Sequence, residues 1–302
     1  MISKFQGVIL GAAVGDALSA PVQFLSRREI QDQYQEVRDM MGGGWLNLRQ
    51  GEFSHDTQMM LCTLESILES GRFEVDPSIQ KLLLWYKKRP KGIGKTTQES
   101  LKRISRGESW RSASQEVYRK RPHMSAGDGA LIRSLPIALR YTSDLNSLVT
   151  HSTDSAMITH ADPMAATGVV LLNMMISELL QSTQKDPRPV CMDRLFGAQN
   201  NLWKNIFDEI DYLDEDDLIA SGYVVDTLQS ALWCFLKTRS FEEALIMAVN
   251  RGNDVYALAA VTGALSGAHY GVKNIPSRWL DALEHRDALM GLSGKIYALI
   301  HQ

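Results

Sequence analysis

The stretch Ala257-Leu-Ala-Ala-Val-Thr-Gly-Ala-Leu-Ser-Gly-Ala268 decides the fold. It carries no charge and no side chain larger than leucine on any face. A helix that is small and apolar all round has no side to give to water, so it must lie enclosed at the centre of the molecule. Outward from it, helical periodicity dominates. Met59-Met60-Leu61, Leu64, Ile67 and Leu68 recur at i, i+3 and i+4, and the pattern stops at Gly71. The same signature returns in Ile79–Tyr86, Ala130–Arg140, Met164–Leu180, Val224–Leu236 and Phe241–Val249. Strand-type alternation is nearly absent. Breakers stand at Gly42-Gly43-Gly44, Pro90–Gly94, Pro122, Gly127–Gly129, Asp186–Pro189, Gly252 and Ile275-Pro276. They cut the chain into about ten helices of ordinary length. The expectation is an all-α orthogonal multi-helix bundle with one domain over residues 1–302.

Of the 302 residues, 44% are hydrophobic and 22% charged, which suffices for a sizeable core. The net charge is −3 and the basic residues are dispersed, so nucleic acid is excluded as the main partner. Cys62, Cys191 and Cys234 are far apart and sit in apolar stretches, as free thiols of a reducing compartment do. No apolar run approaches the ~20 residues of a membrane span. Lys4 and the apolar run Gly7–Val14 faintly resemble a signal peptide, but Asp16 interrupts the run and the periodicity continues through it. A core helix and a cytoplasmic location are expected. The acidic run Asp208–Asp217 and the stretch Thr183–Pro189 read as solvated surface segments, not linkers.

Six segments could carry chemistry. In Gly11–Phe24, small residues at 11, 12, 15 and 19 share a helical face, and Asp16 either packs at that seam or faces a pocket. Ser54-His55-Asp56-Thr57 opens the helix at 59, where it is either a cap or a ligand cluster of hydroxyl, imidazole and carboxylate. Gly92-Ile-Gly94-Lys95-Thr96-Thr97 opens another helix. It lacks the Gly-x4-Gly-Lys spacing and the preceding strand of a triphosphate loop, though a helix start can still meet a phosphate. Gly127-Asp128-Gly129 suits a backbone that comes close to a ligand. Thr159-His160 precedes a helix as either a cap or a site. Asn250–Tyr256 leads into the enclosed helix.

Taken together and in this order, these segments resemble the ADP-ribosylglycohydrolase family, particularly its dinitrogenase reductase-activating branch. The likeness runs from Gly7 to about Leu283. It is most specific in Ser221–Leu228 through Trp233, Ser240–Ala244, Val249–Gly252, Gly267–Gly271 and Ile275–Trp279. The resemblance implies a cleft for ADP-ribose and hydrolysis of the N- or O-glycosidic bond that joins it to a side chain, arginine in this branch. It also implies two Mg²⁺ or Mn²⁺ ions held by carboxylates. Gly127-Asp128-Gly129 is similar to the family's Gly-Asn-Gly and Thr159-His160 to its Thr-His.

The chain departs from the family pattern at the metal motifs. Gln23 stands for a Glu, His55 for the first Asp of Thr-Asp-Asp-Thr, and Tyr256 and Ala257 for the Asp and Thr that follow Asp254. Gly92 replaces an acid of this branch. Gln removes a charge, His offers a softer nitrogen than Mg²⁺ prefers, and Tyr is neutral at pH 7 and bulky enough to occupy an ion's space. Of the metal set only Ser54, Asp56 and Asp254 remain. The expectation is a cleft lined by Asp16, Gln23, Gly127, Asp128, Gly129, His160 and Tyr256, with Tyr256 entering near Asp56. Such a protein binds or regulates an ADP-ribosylated protein or an ADP-ribosyltransferase. The alternative is an active hydrolase with one divalent ion, Mn²⁺ or Mg²⁺, on Ser54, His55, Asp56 and Asp254, the last three being the catalytic candidates. A purely structural reuse of the fold is the third class.

Overall fold

A computed structural model describes residues 1–122, 124–199 and 201–301. Among the described residues there are sixteen α-helices and no strand. The first four are α1 (Ile2–Ser19), α2 (Arg27–Tyr34), α3 (His55–Ser70) and α4 (Val75–Lys87). Next come α5 (Lys95–Ile104), α6 (Trp110–Lys120), α7 (Leu131–Arg140), α8 (Leu145–Met157) and α9 (Pro163–Gln181). Then follow α10 (Arg188–Phe196), α11 (Leu202–Glu209), α12 (Val224–Lys237) and α13 (Phe241–Val249). The chain closes with α14 (Tyr256–Tyr270), α15 (Ser277–Ala282) and α16 (Arg286–Leu299).

The enclosed helix expected from 257–268 is α14, buried from Tyr256 to Ala268. It is packed by α1, α12, α13, α9 and α7. Its partner α1 runs antiparallel along it at backbone contact. A Cβ placed on Gly7, Gly11 or Gly15 would overlap the carbonyl of Gly267, Gly263 or Ala259 in turn. Glycine at every turn of the α1 face, and glycine or alanine on the α14 face, lets the two backbones touch, and this burial accounts for the small-residue faces of both.

Local signals place the other ends. Ser54 Oγ accepts the Asp56 amide and starts α3, which Gly71 ends in the left-handed region at φ 74°. Asp162 Oδ1 accepts the Met164 amide at 2.8 Å and Pro163 begins α9. At the other end of α9, the Lys4 ammonium donates to the carbonyls of Leu179 and Ser182 at 2.7 and 3.0 Å.

Two expectations are corrected. The helix count of sixteen exceeds about ten, in part because α5, α6 and α11 are short and polar outside one narrow stripe, so no apolar run announces them. In addition, residues 2–22 and 163–181 are long and apolar enough to cross a bilayer, contrary to the reading that no run is. Within the fold those stretches are 94% and 78% buried, covered by neighbouring helices. The N-terminal run is the core helix its periodicity predicts. One apolar cluster runs from Phe5 to Ile296, and a small second one joins Ala20, Leu46, Leu48 and Tyr256.

Candidate functional site

The N-terminal ends of α3, α5 and α14 open into one cleft of about 570 Å³. The loops at 23–24, 92–94, 124–129 and 221–222 complete its wall. Isolated antiparallel bridges tie these loops together, Ser26 to Gly252 on one side and Gly127 to Tyr223 on the other. The first bridge is flanked by two short backbone bonds: Phe24 N–H donates to Asn253 at 2.7 Å and Asn253 N–H to Leu25 at 2.6 Å. Residues more than two hundred positions apart are thereby held in register.

That register brings Gln23 against Asp254. The Gln23 carboxamide oxygen accepts the amides of Val255 and Tyr256 at 2.8 and 2.9 Å, capping α14 from another part of the chain. Its NH₂ donates to Asp254 Oδ1 at 2.6 Å. The other Asp254 oxygen lies against Gly222, where a Cβ would come within 2.6 Å. Gly222 also takes φ 75°, so glycine is required there twice over.

At the start of α3 the cap and cluster readings divide by residue. Ser54 is the cap, buried and away from the cleft wall, whereas His55 and Asp56 line the cleft. Asp16 lies beneath the cleft, not in it. It accepts the Ser54 amide at 3.1 Å, the Thr57 amide at 3.1 Å and the Thr57 hydroxyl at 2.6 Å. Burial raises the Asp16 carboxyl, and these donors oppose the rise. Burial pushes Asp56 well above the usual carboxylate range, with Asp16 and Asp254 adding to the effect. His55 Nε2 stands 3.6 Å from Asp56 Oδ1, while its buried Nδ1 has no partner among the described residues. Burial lowers its pKa.

Tyr256 lines the cleft together with His55 and Asp56. Its ring meets His55 edge to face at 6.5 Å, and its buried hydroxyl finds no partner among the described residues. Burial and the charges of Asp16, Asp56 and Asp254 all hold the phenol protonated.

The groups around Asp254 are already engaged within the protein. The Gln23 carboxamide oxygen already accepts two amides, and its NH₂ faces the carboxylate that an ion would need. Among the described residues no three His, Cys, Asp or Glu side chains converge as an ion's cage. His55, Asp56 and Asp254 line the same cleft, while the Ser54 hydroxyl accepts the Asp56 amide at the start of α3.

The opposite wall carries Gly127, Asp128, Gly129 and His160. Asp128 Oδ2 accepts the Thr227 hydroxyl at 2.7 Å, and its amide donates to Gly222 at 3.1 Å. Burial raises this carboxyl well above its usual range. Behind the loop, the buried Arg133 guanidinium donates to the carbonyls of Gly129 and Ser155 and to the Thr159 hydroxyl. His160 is pushed down to about 3 by burial, with Arg133 adding to it.

Sequence reasoning passed over the mouth. Phe24, Trp45 and Met124 line it while 52%, 58% and 77% exposed, and the two aromatic rings meet edge to face at 5.1 Å. The usable signal was a pair of aromatic residues beside Gln23 and after the triple glycine. Thr97, Ser221 and Gly222 also reach the cleft.

A sequence profile of the ADP-ribosylglycohydrolase family matches residues 1–302. The chain is 30% identical to an ADP-ribosylarginine hydrolase, Tri1, of Serratia proteamaculans, over 98% of this chain and 79% of that protein. It is 33% identical to the ADP-ribosyl-[dinitrogen reductase] glycohydrolase of Rhodospirillum rubrum, over 95% and 96% of the two chains. A solved structure described as an ADP-ribosylglycohydrolase-related protein complex superposes with a TM-score of 0.83 at 31% identity, covering 99% and 98% of the chains. Sequence, fold and the order of the cleft segments agree: the chain belongs to the ADP-ribosylglycohydrolase family.

Proposed function

We propose that the cleft receives the ADP-ribosyl group of a modified protein and binds it without the two-ion hydrolytic machinery that the family resemblance implies. The observation that carries this reading is the Gln23 carboxamide. It satisfies two backbone amides and the Asp254 carboxylate at once, so the electrostatic need for a cation at that point is removed. The cleft volume falls within the ~300–1,000 Å³ of small-ligand sites. Of the three helix starts facing it, Gln23 occupies the amides of α14, while Ser54 and Asp16 occupy those of α3. The start of α5 has no side-chain cap and presents Lys95, Thr96 and Thr97 to the cleft. That is where a diphosphate gains most from backbone donors and the helix dipole. In this role the protein recognises ADP-ribosylated targets, or regulates the transferase that makes them.

A second reading is favoured by the names of the relatives, two of which are hydrolases of ADP-ribosyl bonds. In it the chain cleaves arginine-linked ADP-ribose at an altered site that uses Asp56 and Asp254. One titration separates the readings. Calorimetry with ADP-ribose, with and without Mn²⁺, is expected to give the same affinity in both conditions, and ADP-ribosylarginine is expected to stay intact. Release of ADP-ribose from that substrate, abolished by Asp254→Asn, would establish the hydrolase reading instead. Absence of ADP-ribose binding would defeat both.

A further inference from the structure

We infer that Phe24 and Trp45 form a stacking face for a guanidinium group, and that this face favours an ADP-ribosyl group carried on arginine over one carried on a hydroxyl side chain. Both rings stand at the end of the cleft that holds Asp254. Gln23 donates to the Asp254 carboxylate at 2.6 Å, and the next residue, Phe24, donates its amide to the Asn253 carbonyl at 2.7 Å. Two residues at this seam are left-handed without being glycine, Phe24 at φ 68° and Asn253 at φ 63°. A bulky residue in that region is strained and persists only where its surroundings hold it. Trp45 is placed as firmly. Gly43 and Leu48 exchange backbone bonds at 2.6 and 3.0 Å, and Gly44 is pressed so closely on the Ala20 carbonyl that a Cβ would overlap it. The loop bearing Trp45 is thus pinned to the segment that leads into Gln23 and Phe24.

Neither ring gains from this placement what a core aromatic gains, because both remain more than half exposed. In an edge-to-face pair, the ring that offers its edge keeps both of its own faces free. Arg and Lys side chains lie over Trp110, Tyr141, Phe235, Tyr270 and Trp279, and among the described residues none lies over Phe24 or Trp45. The Lys91 ammonium, near in the chain fold, is turned to the Leu46 carbonyl at 3.3 Å. On the cleft side the surroundings are acidic. Asp56, Asp128 and Asp254 line the cleft, and Lys95 at the start of α5 is the one lysine or arginine among its described lining residues. A planar cation meets both features, since guanidinium stacks on aromatic faces and is drawn by carboxylates. Arginine keeps its charge and plane when ADP-ribose is joined to it, whereas a modified serine brings neither. The open face and the acidic wall belong to the protein alone; that the guanidinium arrives on an ADP-ribosyl group rests on the proposed function.

Two measurements on the full chain test this. In the first, calorimetry compares free ADP-ribose, ADP-ribosylarginine and ADP-ribosylserine, with KM read in place of Kd for any ligand that is cleaved. Wild type is expected to bind the arginine form about fivefold tighter than the serine form. Trp45→Ala should abolish that preference by weakening the arginine form selectively, and Trp45→Phe, which keeps a ring, should retain most of the preference. A wild type without preference, or a preference that survives Trp45→Ala, would overturn the proposal. An equal loss for all three ligands would assign the rings to the nucleotide and overturn it too. In the second measurement the chain carries 5-fluorotryptophan, and Trp45→Phe assigns the resonance. Butylguanidinium should shift the Trp45 ¹⁹F signal, while neutral butylurea should not; equal shifts, or none, would overturn the stacking face. If wild type binds no ADP-ribose, the proposed function fails and the ¹⁹F spectra still decide the face.

Discussion

A carboxylate at position 23 would face Asp254 Oδ1 across 2.6 Å, where an amide proton now lies. Gln23→Glu should therefore destabilise the protein by roughly 2 kcal/mol at pH 7, through like charge and a lost donor. Thermal unfolding of the variant and wild type at pH 7 would read the deficit, and an unchanged Tm would contradict it. Combined with His55→Asp, Tyr256→Asp and Ala257→Thr, the same change should confer a rise in Tm with Mg²⁺, because an ion bound only by the folded state stabilises it. A quadruple variant indifferent to Mg²⁺ would count against the proposed loss of the ion site through these four positions. Asp56 and Asp128 give a prediction of opposite sign. Their folded-state pKa values are raised, so the folded form binds more protons and stability grows as pH falls through that range. At pH 7 both carboxylates oppose folding. Asp56→Asn and Asp128→Asn should each raise Tm there, and the gain should vanish near pH 4, where the wild-type acids are protonated. A gain that persists at pH 4 would show that charge is not its source.

Glycine to alanine in a helix has opposite signs in two helices of this protein. Gly11→Ala in α1 would drive a methyl into the Gly263 carbonyl and force α1 and α14 apart, a loss of roughly 3 kcal/mol or more. Gly294→Ala in α16 meets nothing within 4 Å and should stabilise by about 0.5–1 kcal/mol through the reduced entropy of the unfolded chain. Denaturant midpoints of the two variants would check the pair, and equal effects would contradict the contact. The elements that strongly patterned sequence announces are those whose burial demands one composition, α14, α1, α3 and α9. Helices α5 and α6 were less legible because a polar helix with one narrow stripe resembles a loop in hydropathy. Within the site, the Gly and Asp segments were readable because a backbone near a ligand restricts residue type. The task of Gln23 was not readable, since nothing local says that residue 23 lies beside 255 and 256. Asp16 and Ser54 were assigned to the cleft because polarity near a motif looks the same whether it faces a ligand or supports a helix start. Phe24 and Trp45 escaped notice because exposure is a property of the assembled mouth.

At the scale of the whole molecule, the thiols report on how tightly the core is closed. Burial pushes Cys62, Cys191 and Cys234 each up to about 12, so little thiolate exists at pH 8. None should react rapidly with a disulfide reagent in the native state, and all three should react on unfolding. A fast phase of one equivalent, assignable to the half-buried Cys62, would mark a local opening of α3. The pairing of α1 with α14 sets the order of events during synthesis. Helix α1 has its long partner some 250 positions later in the chain, and until that partner is made its glycine-lined face has nothing to close on. Long-range closure of this kind is slow and leaves apolar surface uncovered meanwhile. A chain interrupted anywhere before Tyr270 therefore lacks the cleft and also exposes the face meant to be its centre. Synthesis itself becomes a checkpoint, at which incomplete copies present themselves to proteases and chaperones before they can meet a ligand.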